Sequence, residues 1–248
     1  MIEKLIEWDA TILIYLNSFH SLFFYNIMLL ITEKVVWIPF YVALSYFVIS
    51  KKGLEKGIIW VLAIGIIILV TDQVTGSLIR PLVGRLRPMD PSNPHSDFIL
   101  LAGDYRAQGL SFPSCHAANS FALATIICLL FSRNLYIKLL VIIWALLHSF
   151  SRIYLCAHYL GDIICGAIVG TTVSLLVFLI FSYLLKRIPG VSGSYRINSE
   201  KRKPYAKPPF SINFFKNGNL SLVYNRPEIY PIGVFLATLL VIVIHSSL

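Results

Sequence analysis

Residues 112–131 read FPSCHAANSFALATIICLLF, in which Phe112-Pro113-Ser114-Cys115-His116-Ala117-Ala118-Asn119-Ser120 runs straight into a strongly apolar segment. Polar groups beside hydrocarbon are costly unless they are paired or hydrated. A histidine at the mouth of such a segment therefore needs a reason. Pro113 and Ser114 read as a helix start, where free backbone amides and the helix dipole favour a bound anion. The stretch predicts a membrane-crossing helix whose first turn opens on a polar site.

The rest of the chain agrees with a membrane reading. Of its 248 residues 57% are hydrophobic and only 13% charged, with a mean hydropathy of +0.75, far outside the range of soluble domains. At roughly 20 apolar residues per helical crossing, spans are expected near residues 22–50, 57–79, 113–132, 136–153, 160–185 and 229–246. Residues 3–17 mix acids with apolar positions and read as an amphipathic helix lying along the interface. The alternative joins them to residues 22–33 as an extra crossing. There is no cationic lead-in to a short apolar core, which argues against a cleaved signal peptide. The expected architecture is an all-α polytopic membrane protein of six transmembrane helices. Its regions are a membrane domain over residues 1–187, a basic linker over 188–228 and a last span over 229–248.

Lysine and arginine give the orientation, because basic residues in short loops stay on the cytoplasmic side. With six spans one face carries Lys51, Lys52, Lys56, Arg133, Lys138 and the nine bases from Lys186 to Arg226. The other carries Lys4, Lys34, Arg80, Arg85, Arg87, Arg106 and Arg152. The first face is thus cytoplasmic and both ends of the chain lie opposite it. The linker, broken by glycine, proline and serine, reads as a solvated retention signal that an anionic leaflet would attract. Most of the net charge of +9 is therefore a statement of topology, and no basic-aromatic or helix-turn-helix pattern points to nucleic acid. Cys115, Cys128, Cys156 and Cys165 lack metal-site spacing. Residues 89–97, MDPSNPHSD, mark an irregular extracytoplasmic loop.

On this topology three polar clusters share the extracytoplasmic side: Arg80 to Pro88, the opening stretch, and Ser151 to Asp162. Arg80, Arg87 and Arg152 offer forked, permanently charged donors suited to phosphate oxygens. His158 and Asp162 are four apart, so on a helix beginning near His158 they share a face. The carboxylate can then hold one imidazole nitrogen and leave the other free to attack. His116, at a helix start, suits a proton donor to a departing oxygen. Arg85 and Arg106 read as residues that snorkel to headgroups; His20, His95, His148 and His245 read as interfacial or packed side chains. Asp72 either pairs with a cluster arginine or sits hydrated near the interface.

These residues resemble the membrane branch of the type 2 phosphatidic acid phosphatase superfamily, whose pattern is K-x6-R-P, P-S-G-H and S-R-x5-H-x3-D. Here the three appear in order as Arg80-x6-Arg87-Pro88, Pro113-Ser114-Cys115-His116 and Ser151-Arg152-x5-His158-x3-Asp162. The third is complete in residues and spacing, and the resemblance covers roughly residues 1–187. It implies a haloperoxidase-like helical bundle and a mechanism that uses no metal or other cofactor. His158 would attack phosphorus, Asp162 would support it, and His116 would protonate the leaving group. Arg80, Arg87, Arg152, Ser114 and local amides would hold the phosphoryl oxygens.

Two positions depart from the pattern. Arginine replaces lysine at 80, and a planar fork need not occupy a lysine's place. Cys115 stands where the family has glycine, harmless if its dihedrals are helical and a change of loop if φ must be positive. Cys115 and Cys156 flank the two histidines, a placement compatible with a disulfide if geometry allows.

RPLVGRLRP with SCHAANSFALA looks most like phosphatases of Gram-negative envelopes. The resemblance thus implies an inner-membrane enzyme with a periplasmic site and a phosphorylated membrane lipid as partner, first a lipid A phosphate. Undecaprenyl diphosphate and phosphatidylglycerol phosphate come next. Metal-assisted hydrolysis by His116, His158 and Asp162 is disfavoured, since three arginines would repel the cation. A non-catalytic lipid-binding or transport protein would need the arginines but not two histidines.

Overall fold

The computed structural model describes residues 2–100, 103, 105–187 and 227–247. The basic linker falls, but for its last two residues, outside these. Among the described residues nine α-helices follow in order: α1 (Ile2–Asn17), α2 (Leu22–Thr32), α3 (Ile38–Lys52), α4 (Leu54–Asp72), α5 (Arg80–Val83), α6 (Cys115–Leu130), α7 (Leu135–Tyr154), α8 (Leu160–Arg187) and α9 (Ile229–Ser247). A π-helical turn, Gln73–Ile79, joins α4 to α5, so that Leu54–Val83 forms one long apolar element. The five elements Lys34–Lys52, Leu54–Val83, Leu135–Tyr154, Leu160–Leu185 and Ile229–Ser247 are long and apolar enough to cross a membrane. The protein is a multi-pass, all-helical membrane protein.

The opening stretch becomes α6, at 16 residues, or about 24 Å, shorter than those five elements. It can be short because it lies inside the bundle, packed on α4, α7 and α8, with Ala117, Ala118, Ala122, Ile126 and Ile127 wholly buried. Its closest partner is α8. A Cβ built on Gly166 would stand 2.5 Å from the Ser114 carbonyl oxygen, and one on Gly170 would collide with the Ala118 carbonyl. These small residues, one turn apart, let the two backbones touch. Dense aromatic packing holds the last helix to the bundle. Trp37, Phe40, Trp144 and Phe235 meet edge-on, tilted or stacked at ring separations of 5.7–6.1 Å, fastening α9 against α3 and α7. Lys51 on α3 adds an ion pair with Glu228 at 3.4 Å.

The beginning of the chain departs from the expected span over 22–50. Helix α2 ends at Thr32, Glu33 is extended, and a 3₁₀ turn at Lys34–Trp37 leads into α3, so the crossing starts near Lys34. Thr32-Glu33-Lys34 places three polar side chains in the apolar run and Pro39 follows at a helix start, which together favour a break over a continuous helix. Helix α1 forms over the expected residues and turns by 120° into α2, so the two do not make a straight crossing. Its residues Leu5, Trp8, Ile12 and Tyr15, at alternating spacings of three and four, are 39–64% exposed. Ala10 and Leu13 on the other side are buried with Met89, Ile153, Tyr159 and Ile163. An apolar stripe on each side is what a helix wedged between protein and bilayer interface requires.

Candidate active site

The turn between α7 and α8 carries His158. Its peptide nitrogen and that of Ala157 both donate to the Arg152 carbonyl, closing the end of α7, and Cys156 adopts φ +49°, a left-handed conformation rare for a residue with a side chain. Asp162, in the first turn of α8, is fully buried and its carboxylate is fully engaged. Oδ2 accepts from the Tyr159 N–H at 3.0 Å and lies 3.4 Å from His158 Nδ1, while Oδ1 accepts from Arg85 Nη1 at 3.0 Å. His158 Nε2 makes no hydrogen bond among the described residues. Burial is the main force on this imidazole, which is 1% exposed. It lowers the pKa to about 4, Arg87 and Arg152 pushing the same way and Asp162 opposing. The ring is thus neutral at physiological pH, with a lone pair available for attack.

Facing it is the start of α6. Ser114 caps that helix, Oγ accepting from Ala117 N at 3.4 Å, and its own N–H donates to the Asp162 carbonyl at 3.0 Å. One backbone hydrogen bond therefore ties the two motif-bearing helices. His116 sits in the first turn, stacked on His148 at 5.6 Å, and His148 Nδ1 lies 3.1 Å from Ser120 Oγ. His148 is packed, as expected, but against the histidine at the site.

The arginines converge from three elements. The π-helical turn, a device common at functional sites, delivers Arg80, whose Nη2 donates to the Pro113 carbonyl at 3.1 Å and to Cys115 Sγ at 2.9 Å. Arg87 Nε donates to the Leu110 carbonyl at 3.1 Å. The loop that presents it is held by its own polar residues. Asp90 accepts from the Gly109 and Ser92 amides, which keep its carboxyl below the usual range. Asn93 Nδ2 donates to the Arg87 carbonyl and to Tyr159 Oη, both at 2.9 Å. The expected irregular loop 89–97 is thus a scaffold linking the first cluster to the third. Arg152 reaches Thr32 at 2.8 Å and Tyr105 Oη at 2.9 Å. Burial and the like charges of Arg152 and Arg80 lower the proton affinity of Arg87, so the three guanidiniums crowd one another. Buried Nε donors of Arg80 and Arg152 have no partner among the described residues. Unpartnered donors and crowded positive charge fit an anion.

A cavity of about 510 Å³ opens from this cluster between α3, α4, α6 and α7. Arg80, Arg87 and His116 line its polar part, Leu44, Val48 and Ile64 its apolar part, and Lys34 adds a further cation. Its size lies within the usual range of ligand pockets, and its two characters suit a molecule with a charged head and an apolar tail.

The PAP2 superfamily profile matches residues 57–186, which hold all three clusters. The chain belongs to the PAP2 superfamily. A lipid A 4'-phosphatase of Bacteroides thetaiotaomicron is 41% identical over 170 residues, covering 68% of this chain and 75% of that one. Among solved structures, the LpxE of Aquifex aeolicus aligns with a TM-score of 0.52 at 20% identity, over 68% of this chain and 93% of its own. The PAP2-type phosphatidylglycerolphosphate phosphatase of Bacillus subtilis aligns at 0.54 and 19%, over 75% and 89%. At these identities the two structures speak for the fold alone.

Within the PAP2 pattern the two departures touch each other, since the Cys115 sulfur takes a hydrogen bond from Arg80. Cys115 opens α6 with ordinary helical geometry, so no positive φ is needed there. It carries a free thiol, as does Cys156, which is bonded instead by Asn17 Nδ2 at 3.3 Å. Asp72 faces Asn119 at 3.3 Å rather than an arginine. Arg85 does not snorkel. It lies between Asp162 and Asp9, 2.7 Å from the latter, and over the Tyr159 ring at 3.8 Å. The signal was in RLR, because in extended backbone residues two apart point the same way, and Leu86 does pair in a β-bridge with Leu110.

Proposed function

We propose that this PAP2 protein is a membrane lipid phosphatase that removes a phosphate from a lipid A headgroup on the periplasmic face of the inner membrane. The observation that carries the mechanism is the His158–Asp162 pair, with Nδ1 turned to the carboxylate and Nε2 without a hydrogen-bond partner among the described residues. Nε2 attacks phosphorus as the bond to the lipid oxygen breaks, and His116 gives that oxygen its proton. Water then attacks the phosphohistidine, giving its proton back to His116 and releasing inorganic phosphate. Arg80, Arg87, Arg152 and Ser114 bind the equatorial oxygens, where phosphoryl charge is stabilised.

Lipid A is favoured by the name of the 41% identical relative and by a cavity that joins a cationic end to an apolar one. The orientation is supported by Lys51, Lys52, Arg133 and Lys138, which sit at the ends of α3, α6 and α7 opposite the site. Purified protein is to be offered lipid A, undecaprenyl diphosphate and phosphatidylglycerol phosphate, and released phosphate measured with and without chelator and vanadate. The reading expects release from lipid A that survives chelator, stops with vanadate and is lost in His158→Ala. Turnover in His158→Ala equal to the wild type refutes the mechanism; faster release from another lipid reassigns the substrate.

A further inference from the structure

Helix α1 lies outside the segment matched by the family profile, yet it grips the catalytic turn at both ends. At one end Asn17 Nδ2 donates to Cys156 Sγ at 3.3 Å and to the Leu100 carbonyl at 3.0 Å, while its Oδ1 accepts from Leu100 N at 2.7 Å. At the other end Asp9 Oδ1 accepts from the Gly161 N–H at 2.9 Å, and Oδ2 from Arg85 Nη1 at 2.7 Å. Cys156 and Gly161 bracket His158. The same Nη1 reaches Asp162 at 3.0 Å, so one guanidinium nitrogen is shared between the carboxylate that orients the nucleophile and a carboxylate from another helix. Gly161 is cut to this fit: a Cβ there would stand 2.8 Å from Asp9 Oδ2.

We propose that Asp9, carried on the interfacial helix α1, is a positioning residue for the His158–Asp162 pair, acting through Arg85 and the Gly161 N–H. The inference rests on the reading of His158 as the nucleophile. Without Asp9, Arg85 has only Asp162 to pair with. Arginine prefers to meet a carboxylate with two parallel donors, and the orphaned Nη2 of Arg85 supplies the second. Asp162 would then turn towards the guanidinium and away from His158, whose contact with it is already the longest of its set at 3.4 Å. The first turn of α8 would also lose the anchor on Gly161. Both changes misplace the attacking nitrogen without touching the phosphate-binding arginines or the cavity.

The test uses the full chain in detergent, with Asp9→Asn, Gly161→Ala, Arg85→Gln and the double variant Asp9→Asn/Arg85→Gln. Activity is read on lipid A and on a small soluble ester, p-nitrophenyl phosphate. Asp9→Asn is expected to lower kcat about 10- to 100-fold on both substrates by the same factor, with KM unchanged, as a misplacement of an ångström or less would. Gly161→Ala, which leaves Asp9 in the sequence but displaces it, should do likewise. The double variant should be no worse than Arg85→Gln alone, since both act on one chain of contacts. Hydrogen exchange at the Gly161 amide should accelerate in Asp9→Asn, a readout that needs no substrate. The proposal is overturned if Asp9→Asn raises only the lipid KM, if the two defects multiply, or if the Gly161 amide exchanges as in the wild type. Failure of the nucleophile reading on which it rests is recognised separately, by full turnover in His158→Ala, and failure of the phosphatase reading by absence of phosphate release from the wild type.

Discussion

The close approach of α6 to α8 makes Gly166→Ala the most informative single substitution. The new Cβ would stand 2.5 Å from the Ser114 carbonyl oxygen and 3.3 Å from both Ala117 Cβ and Ala118 N, where ordinary contact begins at 3.4 Å. The helices must therefore part by roughly 0.9 Å at this point, because the obstacle is backbone and cannot rotate away. The Ser114 N–H to Asp162 carbonyl bond, now 3.0 Å, would stretch beyond hydrogen-bonding range and forfeit about 1 kcal/mol. Overpacking costs about 1–3 kcal/mol, and the better helix propensity of alanine returns up to about 1 kcal/mol. The net loss of stability is about 1–4 kcal/mol. The effect on catalysis is larger in proportion: His116 is on α6 and Asp162 on α8, so a gap near 1 Å separates acid from nucleophile and lowers kcat by about 10²-fold. Thermal melting and release of p-nitrophenol by the purified variant measure the two. Gly65→Ala, on α4 with nothing within 4 Å of its Cβ, is the control and should leave kcat unchanged. A Gly166→Ala enzyme within twofold of wild-type kcat would refute the claim that this helix contact sets the spacing of the catalytic groups.

Other outcomes follow from the same geometry. Arg80→Lys and Cys115→Gly should be coupled by about 0.5–3 kcal/mol in a double-mutant cycle on phosphate release, since their side chains share a hydrogen bond; additive effects would dissolve the pairing. Because the native His158 pKa is near 4 and its ordinary value 6.5, the unfolded chain alone takes up this proton as the pH falls from 6.5 towards 4. Stability should then drop by up to about 1.4 kcal/mol per pH unit in that window, with no contribution above it, and His158→Gln should flatten the slope of melting temperature against pH. Burial pushes the Cys156 thiol up to about 12, so alkylation of the native protein should spare it, while denaturation without reductant should expose both Cys115 and Cys156 to labelling.

The hydropathy of the chain made its crossings legible, and motif spacing brought His158 and Asp162 together before any coordinates, because i,i+4 on a helix is a local relation. What stayed illegible was non-local. Residues 22–50 are apolar enough to read as one span, and only the packing of α2 across α7 and α9 gives the Thr32–Lys34 break its meaning. Arg85 looked like an ordinary span-end cation because its two carboxylates are 76 and 77 residues away. Asp9 read as one acid of an amphipathic helix for the same reason. The two departures from the family pattern, at 80 and 115, were each visible, but that they touch is a fact of the π-helical turn, which no periodicity announces.

The site divides its labour between stiff and adaptable parts. The proposed nucleophile, orienting acid and proton donor stand on the turn before α8, on α8 and on α6, where glycine-sized contacts leave no slack. The proposed anion donors stand just after a π-helical turn, on a loop and in the last turn of α7. They are held by hydrogen bonds to carbonyls, a cysteine sulfur and hydroxyls, not by carboxylates. That choice has an electrostatic logic. A carboxylate partner would neutralise an arginine before the phosphate arrived, whereas neutral acceptors fix its direction and leave its charge unspent. Arg85, which does carry carboxylates on one nitrogen, is accordingly the arginine of the first cluster that the proposed mechanism places with the nucleophile and not with the phosphate. Carboxylate pairing thus separates Arg85 from Arg80, Arg87 and Arg152, in keeping with the proposed role of those three in holding the anion.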